Sequence, residues 1–600
     1  MELKGRKDVP VEETWDLSLI YKTEEEYEVA LQAFQTQGDA LALKYQGKLN
    51  TAAEITACME EFEKLMELQV LVGTYAELAV EVDYYDTKAR ERAKKMGTIM
   101  AEVMSRLTFI RSEILEAPEK EIEAAIEQST GTKGFLQELL REKPHTLSPD
   151  GERILAAFSQ SFRTPYEIYN MAKLADMKFP SFTVNGRDYP LGYALFEDDY
   201  EYERDTEVRR TAFRTFSEKL RQYENVTAAA YNAHISQEKV ESRLRGYDSV
   251  FDFLLFGQKV TREMYDRQID LITEKLAPHM RRYAKLIQKA YGLQEMTFAD
   301  LKLPLDPDYD PRVTIPESHR YVREGLYILG PDYVSMIDEA YRDRWIDFAK
   351  NQGKSTGGFC SSPYGRNSFI LLSWNDRMSD VFTIAHELGH AGHFRNANAA
   401  QSIFDTEVST YFVEAPSTMN EILLAEHLLS TNEDPRFRRW VLSCMIGNTY
   451  YHNFVTHLRE AWYQREVYRI IDAGGSVDAA VLSDIFRKNL ELFWGDAVQL
   501  PEGAELTWMR QPHYYMGLYS YTYSAGLTVA TQAALRIRKE GQPAVEDWKK
   551  VLRAGSTLDP AGLAALAGID ITTEGPLLST IEYIGSIVDE IEQLTEQMGL

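Results

Sequence analysis

The sequence predicts a mainly α protein, and three observations carry that expectation. Long stretches place apolar residues three and four apart with charges between them. Acidic residues lead several of these stretches. Strand-like sequence is sparse. The stretches "TEEEYEVALQAFQTQGDALALKY", "TAAEITACMEEFEKLMELQVLVGTYAELAVEV" and "ERAKKMGTIMAEVMSRLTFIRSEILEA" show the helical period most clearly,. Glutamates in a first turn sit favourably against the positive end of the helix dipole. Residues 1–145 therefore read as helical, with no short repeat and no low-complexity tract,.

Two short β elements interrupt the pattern. "KFPSFTVNGRDYPL" has an Asn-Gly turn between apolar runs and predicts a hairpin near residues 178–191,. "LKLPLDPDYDPRV" is rich in Pro and Asp and reads as a loop,. "GGFCSSPYGRNSFILLSW" ends in a compact run, Phe369 to Trp374, that predicts a short strand just before the most informative helix. A sheet edge there would offer N–H and C=O groups to an extended peptide.

Composition narrows the function classes. Of 600 residues, 44% are hydrophobic and 26% charged, as in a folded soluble protein,. No apolar run approaches the roughly 20 residues that cross a bilayer. The N-terminus "MELKGRKDVP" leads into no apolar segment, so no secretory signal and no membrane association are expected,. A formal net charge of −27 repels phosphate backbones and argues against nucleic acid as a partner,. Cys58, Cys360 and Cys444 are odd in number and far apart. They suit a reducing cytoplasm better than a disulfide framework or a cysteine-built zinc site. Cys360 reads as a small buried residue rather than a catalytic thiol.

The chemistry centres on "DVFTIAHELGHAGHF". Ser379 and Asp380 are good N-cap residues for a helix that follows at once,. On that helix His386 and His390 lie about 40° apart around the axis and project from one face, where they can hold one Zn2+ ion. Glu387 beside them can take a proton from the water that such an ion acidifies and pass it to a leaving amine. Composition alone yields an H-E-x-x-H match in roughly one such chain in fifty, so the motif needs a third ligand. "DTEVSTYFVEAPSTMNEILLAEHLL" supplies candidates on a second helix, with Pro416 marking an irregularity or a late start. Glu407, Glu414 and Glu421 are seven apart and share a stripe; spacing does not choose among them. His393 reads as a supporting or cleft-lining residue, and His427, His452 and His457 as structural histidines. Further on, "RQPHYYMGLYSYTYSAGL" gathers His513, Tyr514, Tyr515, Tyr519, Tyr521 and Tyr523, which are suitable donors to an oxyanion,.

These stretches together resemble oligoendopeptidase F, within the thimet oligopeptidase-like family of zinc metallopeptidases. "DVFTIAHELGHAGH", "FVEAPSTMNE", "REKPHTLSPDGERILAAF", "VEETWDLSLIYKTEEEYEVAL" and "PHYYMGLYSYTYSAGL" carry the likeness over nearly the whole chain. The resemblance implies a two-lobed, mainly α metallopeptidase around a deep channel that admits oligopeptides and excludes folded proteins. It implies an N-terminal lobe over residues 1–200 and a catalytic region over 201–600. It implies His386, His390 and Glu414 as ligands of one zinc ion, Glu387 as general base and Glu421 as a support for them. It implies His513 with Tyr521 and Tyr523, then Tyr519, as groups that stabilise the transition state. "SFILLSW" departs from the family pattern, in which an asparagine is expected before the tryptophan. The expected activity is endopeptidase cleavage of unstructured oligopeptides in the cytoplasm. The rival readings are a metallocarboxypeptidase of similar build and an inactive peptide-binding scaffold. Oligomeric state is not legible.

Overall fold

The structure is a computed structural model and describes residues 3–600. It is built almost wholly of helices. Glu24–Tyr45, Ala52–Glu81 and Thr87–Arg106 open the chain. Each starts where the sequence supplies a cap: the side chains of Thr23, Thr51 and Asp86 accept backbone N–H groups of the first turn,. Their apolar stripes meet in a core that includes Phe34, Ile55, Phe62, Val103 and Ile110. That core also takes Ile403 and Phe404 from beyond the HELGH stretch, with Phe404 stacked on Phe62 at 5.6 Å between ring centres. A larger core, from Met177 to Leu594, holds the remaining helices together.

The hairpin forms as expected, β1 (Phe182–Val184) pairing with β2 (Arg187–Tyr189). Asn185 and Gly186 between them both have positive φ, 51° and 76°, the geometry that makes Asn-Gly a favoured two-residue turn,. A second sheet comprises β3 (Ile346–Asp347), β4 (Phe359–Ser361) and β5 (Phe369–Leu371), in the order β3-β5-β4. Here the structure corrects the sequence reading. The strand at Phe369 stops at Leu371, and it is the buried centre of the sheet, not its edge. Parallel pairing with β3 and antiparallel pairing with β4 occupy both of its sides. The edges are β3, which is buried, and β4, whose residues are only partly buried. The first residues of the chain lie against this sheet: Arg6 pairs with the buried Asp347, which also binds Lys354 at 2.6 Å.

The HELGH stretch lies on the helix Met378–Ala400. Its start is two or three residues earlier than Ser379 or Asp380 as a cap would give, with Arg377 as the cap. Asp380 is not the cap but the third helical residue, and its carboxylate reaches back to accept the N–H groups of Asn375 and Arg377 at 2.7 and 3.1 Å. The Pro/Asp-rich loop bolts this end down: Met378 N–H donates to Pro311 O at 2.8 Å and Ser379 Oγ to Asp310 at 3.1 Å. The second helix runs from Ala415 to Thr431, with Pro416 in its first turn, where a missing N–H costs nothing,. The Pro416 irregularity is thus a late start.

These two helices touch through a glycine. A Cβ on Gly389 would fall 2.5 Å from Pro416 O and Ser417 Cα. Only hydrogen fits there, and the close approach brings Glu414 to the two histidines. Beside it, Asn420 Nδ2 donates to Ala385 O at 3.0 Å and Tyr333 Oη donates to Leu388 O at 3.2 Å, tying the two helices with buried polar bonds. Gly389→Ala must therefore push the helices apart. Overpacking of this kind costs about 1–3 kcal/mol. Differential scanning calorimetry of the variant should show a lowered Tm, and metal analysis should show weakened retention; an unchanged Tm would mean that the helix contact is softer than the distances imply.

Candidate metal centre and active site

His386 and His390 are one turn apart, with ring centres separated by 5.0 Å. Each presents its Nε2 at 3.4 Å from Glu414 Oε2. All three atoms lie within 4.8 Å of one another. Glu414 is the residue that caps the second helix, and Ser417 Oγ donates to the same Oε2 at 2.8 Å. A separation of 3.4 Å exceeds the roughly 2.7–2.9 Å of a charge-assisted hydrogen bond. It leaves room for a cation among the three atoms. Two imidazole nitrogens and a carboxylate oxygen on three partly exposed side chains are a donor set used for catalytic zinc,.

The electrostatics fit the same conclusion. Burial alone would lower the pKa of His386, but the carboxylates of Glu414 and Glu421 outweigh it and hold it well above its ordinary value. Burial would raise Glu414, yet His386 and His390 hold it well below the usual carboxylate range. The cluster calls for positive charge at its centre, which a divalent ion supplies without a proton. The far side of His386 is fixed as well. Nδ1 lies 2.7 Å from Glu421 Oε1, and Thr449 Oγ1 donates to Glu421 Oε2 at 2.5 Å. That bond sets the tautomer that leaves Nε2 free for a metal.

Glu387 is 6% exposed. Burial raises its pKa, partly offset by His386 and His390, so that the net shift is upward. It lies beside the entry to the edge strand, since a Cβ on Gly358 would come within 3.3 Å of Glu387 Oε1. Cys360, on the edge strand β4, is half-buried rather than buried as expected, and its thiol is pushed up to about 12 by desolvation, which disfavours a nucleophilic thiolate,.

Three expectations separate here. Glu407 is exposed in the turn before Ala415, because the helix that would have carried the period-seven stripe has not yet begun. Glu421 lies against His386, as above. His393 lines no cleft: it is fully buried, neither ring nitrogen has a hydrogen-bond partner, and burial followed by the nearby His390 lowers its pKa to about 3.

The tyrosine cluster divides by helical phase. His513, Tyr519 and Tyr523 are partly exposed and adjoin one another: the His513 ring is 5.6 Å from Tyr519 and 5.7 Å from Tyr523, and Tyr519 is 5.2 Å from Tyr523. The helix that carries Tyr523 packs against Glu414, since a Cβ on its Gly526 would lie 3.4 Å from Glu414 Cβ. Tyr521 does not join them. It opens the helix Tyr521–Glu540, two residues and about 200° from Tyr523, so it points to the opposite side,. There its hydroxyl bonds Gln258 and its ring meets Tyr265 edge-on at 4.9 Å, fully buried. Tyr514 is likewise buried.

Two histidines that the sequence reads as structural, with two residues it does not single out, stand behind this group. His452, His457, Glu460 and Thr449 lie on a widened π-helical stretch, Met445–Thr456, and the helix His457–Asp472 that continues it. Such stretches often mark functional sites, but their extra residue per turn spoils the spacing by which a sequence reveals which side chains share a face. The pairing of His457 and Glu460, three apart, was the only signal available. A cavity of about 380 Å³ opens between His452, Thr456, Asp310 and Ser379, at the start of the HELGH helix.

Comparison with known proteins gives a consistent result. The profile described as peptidase family M3 matches residues 200–583, and that of oligopeptidase F matches residues 113–179. Oligopeptidase PepF of Bacillus subtilis (strain 168) is 28% identical over 598 residues, covering 99% of this chain and 89% of that protein. An oligoendopeptidase F homolog of Lactococcus lactis subsp. lactis is 25% identical over 603 residues, covering 99% of each. In fold, the chain superposes on a solved structure from Chlamydophila abortus with a TM-score of 0.88 at 20% identity, covering 99% of this chain and 100% of that one. It superposes on oligoendopeptidase-F from Enterococcus faecium with a TM-score of 0.72 at 21% identity, covering 96% and 99%. With a family match over more than half its length and relatives aligned end to end, the chain belongs to peptidase family M3, as a metalloendopeptidase of the oligoendopeptidase F type.

Proposed function

We propose that this chain is a zinc-dependent endopeptidase for unstructured oligopeptides, with His386, His390 and Glu414 holding one zinc ion and Glu387 acting as general base. The observation that carries this reading is the convergence of three donor atoms within 4.8 Å, with a buried carboxylate on the adjacent residue. A zinc ion held there would supply Lewis acidity, polarising the scissile carbonyl and acidifying the attacking water. Glu387 takes the proton of that water and delivers it to the departing amine. Its burial favours the protonated form midway through that transfer. His513, with Tyr523 and Tyr519, donates to the carbonyl oxygen as charge develops there. The edge of β4 can pair with the substrate backbone, holding it extended beside Glu387.

In this reading residues 1–200 form the N-terminal lobe and 201–600 the catalytic region, with the substrate channel between them and a length limit that follows from it. The three unpaired cysteines suit the cytoplasm. A carboxypeptidase would need a basic side chain near the cluster to hold the terminal carboxylate. Among the described residues, the hydrogen bonds and ion pairs of His386, His390, Glu414 and Glu421 bring in no Lys or Arg.

One experiment tests metal, cleavage mode and size limit together: metal analysis of the purified protein, paired with mass mapping of fragments from peptides of graded length. The expected result is one zinc per chain, internal cuts, and a length above which cutting stops. Stepwise loss of C-terminal residues would favour the carboxypeptidase, and a metal-free protein that cuts nothing would favour the binding scaffold.

A further inference from the structure

Behind the tyrosine cluster lies a buried polar network that the reading above leaves without a task. Its centre is Glu460, whose side chain is 2% exposed. One oxygen, Oε2, receives three groups: His457 Nδ1 at 3.0 Å, His513 Nδ1 at 3.2 Å and Ser520 Oγ at 2.8 Å. The other, Oε1, is buried without a partner. His457 continues the network, with its Nε2 at 3.0 Å from His452 Nε2. Its ring lies flat against Tyr523, with centres 4.0 Å apart and planes within 15°. One carboxylate thus touches His513 directly and Tyr523 through a single stacked ring.

An isolated buried carboxylate is costly, and it persists where its hydrogen bonds are met or where it does something. The interactions with His457 and His513 outweigh the effect of burial and keep Glu460 ionised, far below the usual carboxylate range. The ionised form accepts only. Each histidine therefore turns a protonated Nδ1 toward Oε2. For His513 this fixes both the ring plane and the tautomer, and directs Nε2 away from Glu460. For His457 it fixes the surface on which Tyr523 rests. The separations of 3.0 and 3.2 Å are those of hydrogen bonds, in contrast to the 3.4 Å gaps around Glu414.

We propose that Glu460 is a positioning residue for the peptidase reaction: through the Nδ1 atoms of His513 and His457 it orients His513 and Tyr523 toward the substrate carbonyl. This rests on the reading of His513 and Tyr523 as donors to the oxyanion. It parallels the general logic by which a buried carboxylate orients a working imidazole. Misplacing two donors would weaken interactions made in the transition state, so kcat falls while KM holds.

The test is a double-mutant cycle on the zinc-loaded full-length enzyme with an internally cleaved peptide. Glu460→Gln keeps the shape and removes the charge. Its kcat should fall on the order of 10- to 100-fold, the usual cost of losing a supporting carboxylate. KM should stay within about twofold, with zinc content unchanged. Glu460→Asp should recover part of the loss. His513→Gln should cost at least as much, and the double variant should be no slower than His513→Gln combined with the part of the loss that acts through Tyr523. Glu460→Gln with the parental kcat overturns the proposal, as do losses that multiply fully in the double variant. A His513→Gln enzyme with full kcat would instead overturn the oxyanion role of His513. Ring 15N shifts of the unmutated enzyme need no variant to fold: His513 Nδ1 must carry a proton, and an unprotonated Nδ1 sinks the idea. Two tightly held metal ions per chain would likewise overturn it, because the His457–Glu460–His513 group would then be a second metal site.

Discussion

Glu387→Gln is expected to keep its zinc and to lose on the order of 10²- to 10⁴-fold in kcat, the range spanned by general acid–base catalysis. The substitution changes neither volume nor the candidate ligands, and His386, His390 and Glu414 remain within reach of one ion. What it removes is the atom that takes a proton. Glu387 is 6% exposed and sits among His386, His390 and the approach to β4, so bulk solvent cannot easily substitute for it. An amide at this position still hydrogen-bonds a water but cannot accept its proton. Peptide affinity should survive, making the variant a means of trapping a bound substrate. Metal analysis and steady-state kinetics on the same preparation check both halves. A variant with parental kcat would remove Glu387 from the mechanism, and one that lost zinc as well would give it a structural part in the metal site.

The helices were legible from the sequence because their signals are local. Thr23, Thr51 and the acidic first turns announce starts, and apolar spacing announces faces. The Asn-Gly hairpin was legible for the same reason. The facing histidines followed from helical geometry alone. Glu414 did not: spacing gave three equal glutamates, and only the likeness to a family favoured one. What separates them is where the second helix begins. Pro416 in its first turn makes Glu414 the cap, leaves Glu407 in an exposed turn, and sends Glu421 two turns on to the far side of His386.

The errors share a physical origin as well. Phe369–Leu371 reads as a strand, but pairing on both sides comes from distant segments, β3 and β4, so edge and centre cannot be told apart by local pattern. Tyr521 reads like its neighbours because "YSYTYS" has no apolar punctuation. Its phase is fixed by the helix starting at residue 521, which turns Tyr521 to the core and leaves Tyr523 partly exposed beside His513. His457 reads as structural and Glu460 is not singled out because their meaning depends on His513, more than fifty residues later, whose Nδ1 meets the same oxygen of Glu460 as that of His457.

Glu414→Ala is expected to empty the metal site. Of the three converging atoms, Glu414 Oε2 is the one that both imidazoles face, at 3.4 Å each. It is also the only anionic member, so its loss removes the charge that attracts a cation as well as one ligand. Two neutral imidazoles on one helix face leave half of a tetrahedral site. Glu421→Ala provides the contrast. It leaves all three donors and removes the carboxylate that links His386 Nδ1 to Thr449 Oγ1, so affinity should weaken about 10- to 100-fold,. Metal titration against a competing chelator should therefore rank parent, Glu421→Ala and Glu414→Ala in that order, with peptidase activity following occupancy. The pairing separates two assignments that single variants would leave confounded. If Glu414→Ala held a full equivalent of zinc while Glu421→Ala held none, the third ligand would be Glu421. His386 would then have to turn its Nδ1 to the metal, and the short contact now made there would be a ligand pair seen without its ion.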